Sequence, residues 1–222
     1  MKPSTRRKSA QRERPDLPAE FESTSAEADQ WLAECESVTI QERRLEDIDA
    51  ASWNVGAFSL EGCLLERVQL SGSQFGSATW KDVRLVGCDL ANVRVHRLAL
   101  VRVELVDCRL TGFRATALDW QDVLVQNGDL RYAQLQGGKF KHCEFEGCNW
   151  QEADLRNADL TGAMFRFCNL SRADFQGTTL RGADLRQSEI DGTLVGVSDV
   201  YGAIVDPAQA MVLARLLGLE IK

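Results

Sequence analysis

Ala153-Asp154-Leu155-Arg156-Asn157 runs without a break into Ala158-Asp159-Leu160-Thr161-Gly162. Ala173-Asp174-Phe175 and Ala183-Asp184-Leu185 repeat the opening triplet in the same phase of five. Stepping outward by fives from Leu155 and Leu160, every position from Ile40 to Val205 is apolar, thirty-four in succession with no insertion. In a chain that is 44% hydrophobic, such a run is a structural period and not an accident. A period of five fits neither the 3.6 residues of a helical turn nor the two of a strand. It fits a short extended piece followed by a turn, repeated many times.

The residues around each apolar centre support that geometry. Two before it, Ala, Cys, Val, Ser and Thr predominate. Immediately before it stands Asp or Asn in many units, residues whose side chains bond their own backbone two positions on. Two after it, glycine recurs at Gly62, Gly72, Gly87, Gly112, Gly137, Gly147, Gly162, Gly177, Gly182, Gly192 and Gly202, where a turn needs relief. The prolines, which would remove a ladder hydrogen bond, are Pro3, Pro15, Pro18 and Pro207, all outside the run.

This pattern resembles the A(D/N)LXX signature of the pentapeptide-repeat family over residues 38–206. The resemblance implies an all-β fold, a right-handed quadrilateral β-helix in which four pentapeptides close one coil. The length gives about 8.5 coils, a rod about 40 Å long at the strand spacing of about 4.8 Å. Trp80, Trp120 and Trp150 take the centre phase and are expected inside. Before about residue 130 the small position also carries Trp53, Phe58, Leu98, Phe113 and Leu118, so those coils are expected to be less regular in section.

A stacked rod has open ends that need covers. Residues 1–22 are polar and hold three of the prolines, and read as a disordered basic tail. Thr24-Ser25-Ala26-Glu27 has capping-box spacing, so 23–37 reads as an N-terminal capping helix. Asp206-Pro207 has the chemistry of a helix start, and Gly218 that of a stop, which makes 207–222 a C-terminal helix. Its Met211, Leu213, Leu216 and Leu217 spread around the helix, more apolar surface than one coil end covers. The expectation is a homodimer through this helix.

Chemistry is sparse. Of seven cysteines, Cys63, Cys88, Cys108, Cys143, Cys148 and Cys168 share the small inward phase, no CxxC occurs, and they read as reduced packing residues rather than metal ligands or disulfides. The two histidines, His96 and His142, fall in outward phases on different columns. No nucleophile–base arrangement, no phosphate loop and no cofactor motif is present, so the expectation is no enzyme, no catalytic or metal residue and no cofactor. No apolar run is long enough to cross a membrane and no secretory signal follows the basic N-terminus, so no membrane contact and a cytoplasmic location are expected. A net charge of -7 argues against direct nucleic-acid binding and points to a protein partner.

The C-terminal Gly202-Ala203-Ile204-Val205-Asp206, with Gln209-Ala210 and Gly218-Leu219, resembles the mycobacterial fluoroquinolone-resistance (Qnr-like) group within the family. That resemblance implies dimerisation through this end and binding to DNA gyrase as a mimic of B-form DNA, inhibiting the enzyme or protecting it from quinolone-like poisons. The acidic end Glu189, Asp191, Asp199 and Asp206, free of basic residues, fits it; the basic middle Arg94, Arg97, Arg102, Arg109 and Arg114 opposes it. The alternative is a generic interaction scaffold with an unrelated partner, seeded by outward Val86, Val101, Val106 and Phe167.

Overall fold

The computed structural model describes residues 12–23 and 36–220. Its strands are β1 (Glu22–Ser23), β2 (Ser37–Gln41), β3 (Arg43–Glu46), β4 (Asn54–Glu61), β5 (Leu64–Glu66), β6 (Gln74–Val86), β7 (Arg94–Val106), β8 (Arg114–Gln126), β9 (Lys139–Lys141), β10 (Glu144–Glu146) and β11 (Met164–Arg166). One helix, α1 (Pro207–Leu216), follows. All pairing is parallel, and within the rod each partner lies twenty residues away. On one face Arg44, Leu64, Arg84, Glu104, Leu124, Glu144, Met164, Asp184 and Ile204 stack as nine rungs. Four bridges per coil, such as Asp119↔Lys139, Leu124↔Glu144, Asp129↔Asn149 and Gln134↔Asp154, give the coil its four sides. The result is a β-solenoid.

The five-residue phase decides what lies inside. Every centre from Ile40 to Ile190 is buried, and the three tryptophans are at most 3% exposed. Only the last centres, Val195, Val200 and Val205, are half-buried, where the stack ends. Phe145 and Phe165, one coil apart, stack with centroids 4.8 Å apart, which is the coil spacing itself. The indole N–H groups of Trp80, Trp120 and Trp150 find no hydrogen-bond partner among the described residues. Their rings pack edge-on against Phe58, Phe140 and Phe145 respectively.

The corners follow the phase two after each centre. All eleven glycines read as turn residues have φ between +62° and +77°. Seventeen non-glycine residues in the same phase, from Glu42 to Gln187, take the same left-handed conformation. Asp and Asn brace these turns: Asp129, Asp154, Asp159, Asn169 and Asp184 each accept the amide N–H two residues on.

One corner breaks the rule in the N-terminal half. Ala57, Ser77, Arg97 and Ala117 are not left-handed; the chain stays extended there, which is why β6, β7 and β8 run to 13 residues each. An extended corner widens the section, and Phe58, Leu98 and Leu118 fill it from inside. The tight corner begins at Gly137. There Gly138 replaces the bulky filler, because a Cβ on it would stand 2.9 Å from both Leu118 and Phe140. This is the irregularity that the large residues at the small phase foretell.

The small inward positions share one hydrogen bond. Cys63, Cys88, Cys108, Cys143, Cys148 and Cys168 each donate Sγ–H to the carbonyl 23 residues back. Ser73, Thr178 and Ser188 do the same with their hydroxyls. The six thiols are buried and free. Burial pushes the Cys63 and Cys143 thiols above the ordinary range.

The expectation of a disordered tail over 1–22 fails from residue 12 onward. Residues 12–23 lie as an extended strap on the rod. Arg12 reaches Glu104 at 3.1 Å, the Glu13 N–H donates to Asp122 and the Asp16 N–H to Asp82. Glu22 and Ser23 then pair with Arg43 and Arg44 in β1, and Glu22 forms an ion pair with Arg43. Three residues of extended chain span about 10 Å, the rise of two coils, so the strap runs along the rod axis from Asp122 to Asp82. Sequence reasoning missed it because its partners are carboxylates 66 to 109 residues away and its own residues form no apolar face. The expected N-terminal capping helix at 23–37 falls largely outside the described residues. At the other end α1 stops at Leu216, with Gly218 at φ +83°, shorter than the expected 207–222.

The strap makes a sharp prediction. The Arg12 and Glu104 side chains are only 8% and 12% exposed, so Arg12→Ala should leave a shielded carboxylate with only Arg84, at 3.8 Å, and cost about 1–3 kcal/mol, a fall of a few degrees in melting temperature for a chain this long. Arg14→Ala, two residues on and exposed, should leave the melting temperature within about a degree. Equal effects of the two would contradict the strap.

A second prediction concerns acid. Burial pushes the Asp82 carboxyl up, but Arg102 and the Asp16 N–H outweigh it and hold it below the usual carboxylate range. Arg131 and Arg186 do the same for Asp129 and Asp184. A carboxyl whose folded pKa is depressed stabilises above its unfolded value, and that stability is lost as pH falls through the folded one. Urea midpoints should therefore be nearly flat from neutral pH to about 5 and decline below about 4.

Candidate interaction surfaces

Because two residues in five point inward and one forms the turn, the outer surface is written in columns spaced by twenty. Most arginines on it pair with an acid in the same or a neighbouring coil: Arg67 with Asp47 at 2.7 Å, Arg102 with Asp82 at 2.6 Å and Arg109 with Asp89 at 2.9 Å. The pairs of Arg67 and Arg109, open to solvent, are worth little singly, whereas Asp82 is buried against Arg102. His142 Nδ1 lies 3.1 Å from the Asp122 carboxylate and is tied to the same column as the strap. Outward Val86, Val101 and Val106 are half-buried; of the four apolar residues suggested for a flat-face patch, only Phe167 is exposed, at 62%.

The C-terminal end is different. Of nine large apolar side chains exposed among the described residues, seven lie here: Leu194, Val197, Tyr201, Ile204, Met211, Leu216 and Leu219. The four helix residues expected at a dimer contact divide. Met211 and Leu216 are 49% and 37% exposed. Leu213 packs back onto the core, and Leu217 is half-buried.

The acidic end also divides. Glu189 and Asp191 are exposed. Asp199 is buried at 9%, its carboxylate accepting from Gly196 N–H at 2.7 Å and from the Ser198 hydroxyl, so it holds a turn and offers little charge outward. Asp206 is the N-cap of α1; the Gln209 N–H, and then that of Gln187, hold its carboxyl below the usual range. Arg166 and Arg186 line the same depression as Asp206. No three His, Cys, Asp or Glu side chains among the described residues group as metal ligands.

Residues 139–177 and 168–193 match the family of pentapeptide repeats, with eight copies. Residues 139–193 are pentapeptide repeats. Among solved structures, the rod is similar to a trypsin-treated form of QnrB1, a plasmid-mediated fluoroquinolone resistance protein, with a TM-score of 0.57, 21% identity and coverage of 83% of this chain and 90% of that one. At that identity the likeness is one of fold. HetL, a pentapeptide repeat protein involved in heterocyst differentiation regulation in the cyanobacterium Nostoc, is similar at 19% identity with a TM-score of 0.45, over 76% of this chain and 89% of that one. Among curated proteins, none matches the sequence. No helix among the described residues is long and apolar enough to cross a membrane.

One residue of this end was named from sequence only within the C-terminal resemblance, with no role of its own. Gln209 is 5% exposed and closes the pentapeptide stack. Its amide nitrogen donates to the carbonyls of Leu185 and Ser188 at 2.6 and 2.7 Å, while its oxygen accepts the Asp206 N–H at 3.0 Å. The signal was present, since Asp206 and Gln209 have capping-box spacing. Gln209→Ala should cost about 1–3 kcal/mol by removing these bonds. Gln209→Glu, of the same shape, sets carboxylate oxygens against two carbonyls and should cost at least as much at neutral pH. Unchanged melting of both variants would overturn the plug.

Proposed function

We propose that this chain is a non-enzymatic protein-binding rod that pairs with a second copy through its C-terminal end and offers an acidic surface to DNA gyrase. The observation that carries the reading is the concentration of exposed apolar side chains between Leu194 and Leu219, on the end where the stack stops. Large exposed apolar patches mark contact surfaces, and a self-complementary patch closes by a two-fold axis. Glu189 and Asp191 flank that end and supply the acidic charge; Asp199 and Asp206 shape the backbone around them. Two such rods end to end would reach about 80 Å. The fluoroquinolone-resistance role of QnrB1 belongs to that protein and supports gyrase only as the partner to test.

The second reading, a scaffold for an unrelated partner, draws on the same end. With two of its four acids turned to local structure, the charge there is modest for a mimic of DNA. Light scattering and a gyrase supercoiling assay separate the two. The wild type is expected to be a dimer at tens of micromolar and to alter supercoiling. Met211→Lys with Leu216→Lys is expected to give a monomer without effect on gyrase. A monomeric wild type would refute the assembly. A dimer inert towards gyrase at every ratio would favour the unrelated partner.

A further inference from the structure

The middle of the rod carries a surface that the C-terminal reading does not use. Along the extended corner of β6, β7 and β8, Arg94, His96, Arg97 and Arg114 are all exposed, and among the described residues none of the three arginines makes an ion pair or a side-chain hydrogen bond. Arg94 and Arg114 are register partners on adjacent coils. Like charges so placed oppose folding, and among the described residues no acid pairs with them.

Donor side chains gather in two depressions along this corner, over floors that also carry apolar residues such as Phe75, Val95 and Leu98. Arg94, His96, Arg114 and Thr116 line one depression of about 410 Å³, together with the amides of Asn54 and Gln74. Arg97, Thr116, Ser77 and Thr79 line a second, of about 560 Å³, on the other side of the corner. Gly56 and Gly76 keep the floor at backbone level; a Cβ on Gly76 would lie 2.6 Å from the Gly56 carbonyl. The lone carboxylate in either lining is Asp119, at the rim with Lys139. Further along the column that holds Arg94 and Arg114, the residues are Gln134, Asp154 and Asp174, so the donor-rich stretch is local.

We propose that this corner groove is a binding site for phosphate groups, two of them held side by side across the Arg97–Thr116 ridge. Guanidinium forks one coil apart, about 4.8 Å, converge on one tetrahedral anion, and hydroxyl and amide donors complete its shell. The extended corner is what makes the site possible. A tight left-handed corner, as at Gly137, would give up the broad strand surface from which Arg94, Arg97 and Arg114 project.

The test is calorimetric titration of the full chain with inorganic pyrophosphate at low ionic strength, beside a single-stranded oligonucleotide and a polyglutamate peptide. Wild type is expected to bind pyrophosphate. Arg94→Gln with Arg114→Gln should weaken it by at least about tenfold, with melting unchanged or raised as the like-charge pair is relieved. Arg172→Gln, exposed on another part of the rod, should bind as wild type does. Binding of the oligonucleotide in place of pyrophosphate, lost in the same double variant, would keep phosphate as the ligand and assign it to a diester backbone. If neither phosphate probe binds, if the double variant binds like wild type, or if polyglutamate binds as tightly, the proposal fails. None of these readouts depends on gyrase or on the state of the C-terminal end.

Discussion

Each coil must return, after twenty residues, to within one hydrogen bond of the coil before it. The rest of the structure depends on that register. A single inserted residue would rotate every later side chain to another phase and turn buried centres outward. The unbroken run from Ile40 to Val205 is the mark of that constraint in sequence, and the nine-rung ladder from Arg44 to Ile204 is the same constraint in space. Left-handed corners turn the chain three times per coil in the N-terminal half and four times from Gly137 to Gly192. Non-glycine residues such as Tyr132 and Phe167 accept this conformation because their neighbours in the stack fix it.

What was legible in the sequence was whatever repeats. The centre phase foretold the buried tryptophans, the glycine phase foretold the turns, and Asp and Asn before the centre foretold the local amide bonds. Large residues at the small phase told that the N-terminal coils would be wider. What remained hidden was singular and long-range. The strap is tied by backbone N–H groups to Asp82 and Asp122, and nothing near Glu13 or Asp16 in the chain announces those partners. Asp199 and Asp206 read as acidic charge in a one-dimensional count, yet their carboxylates face local amides. A charge count cannot separate an acid that shapes a turn from one that faces a partner.

Redundancy also explains the cysteines. At the inward corner the rod needs a small side chain with a weak donor for a carbonyl in the coil before. Cysteine, serine and threonine each meet that need, at Cys168, Ser188 and Thr178. The thiols recur because the site recurs. All six are buried free thiols, and burial pushes those of Cys63 and Cys143 up.

The core is therefore indifferent to function. It consumes the centre and the small residue of every unit, and the turn takes a third. The two outward positions that remain, stacked at about 4.8 Å, are where any recognition must be written. Recognition by such a surface is by columns, and a column is informative where it departs from self-compensation. Most of the rod pairs its charges across one coil, as Arg67 with Asp47 and Arg109 with Asp89. Two places do not. The C-terminal end leaves apolar side chains uncovered, and the extended corner sets Arg94 over Arg114 with no acid among the described residues to pair with them. Folding alone favours neither arrangement, since one exposes hydrocarbon and the other stacks like charges. Each is a cost that a bound partner would remove, and they lie on separate parts of the molecule. If both proposals hold, such a rod would join two different ligands at once, one at its end and one on its side.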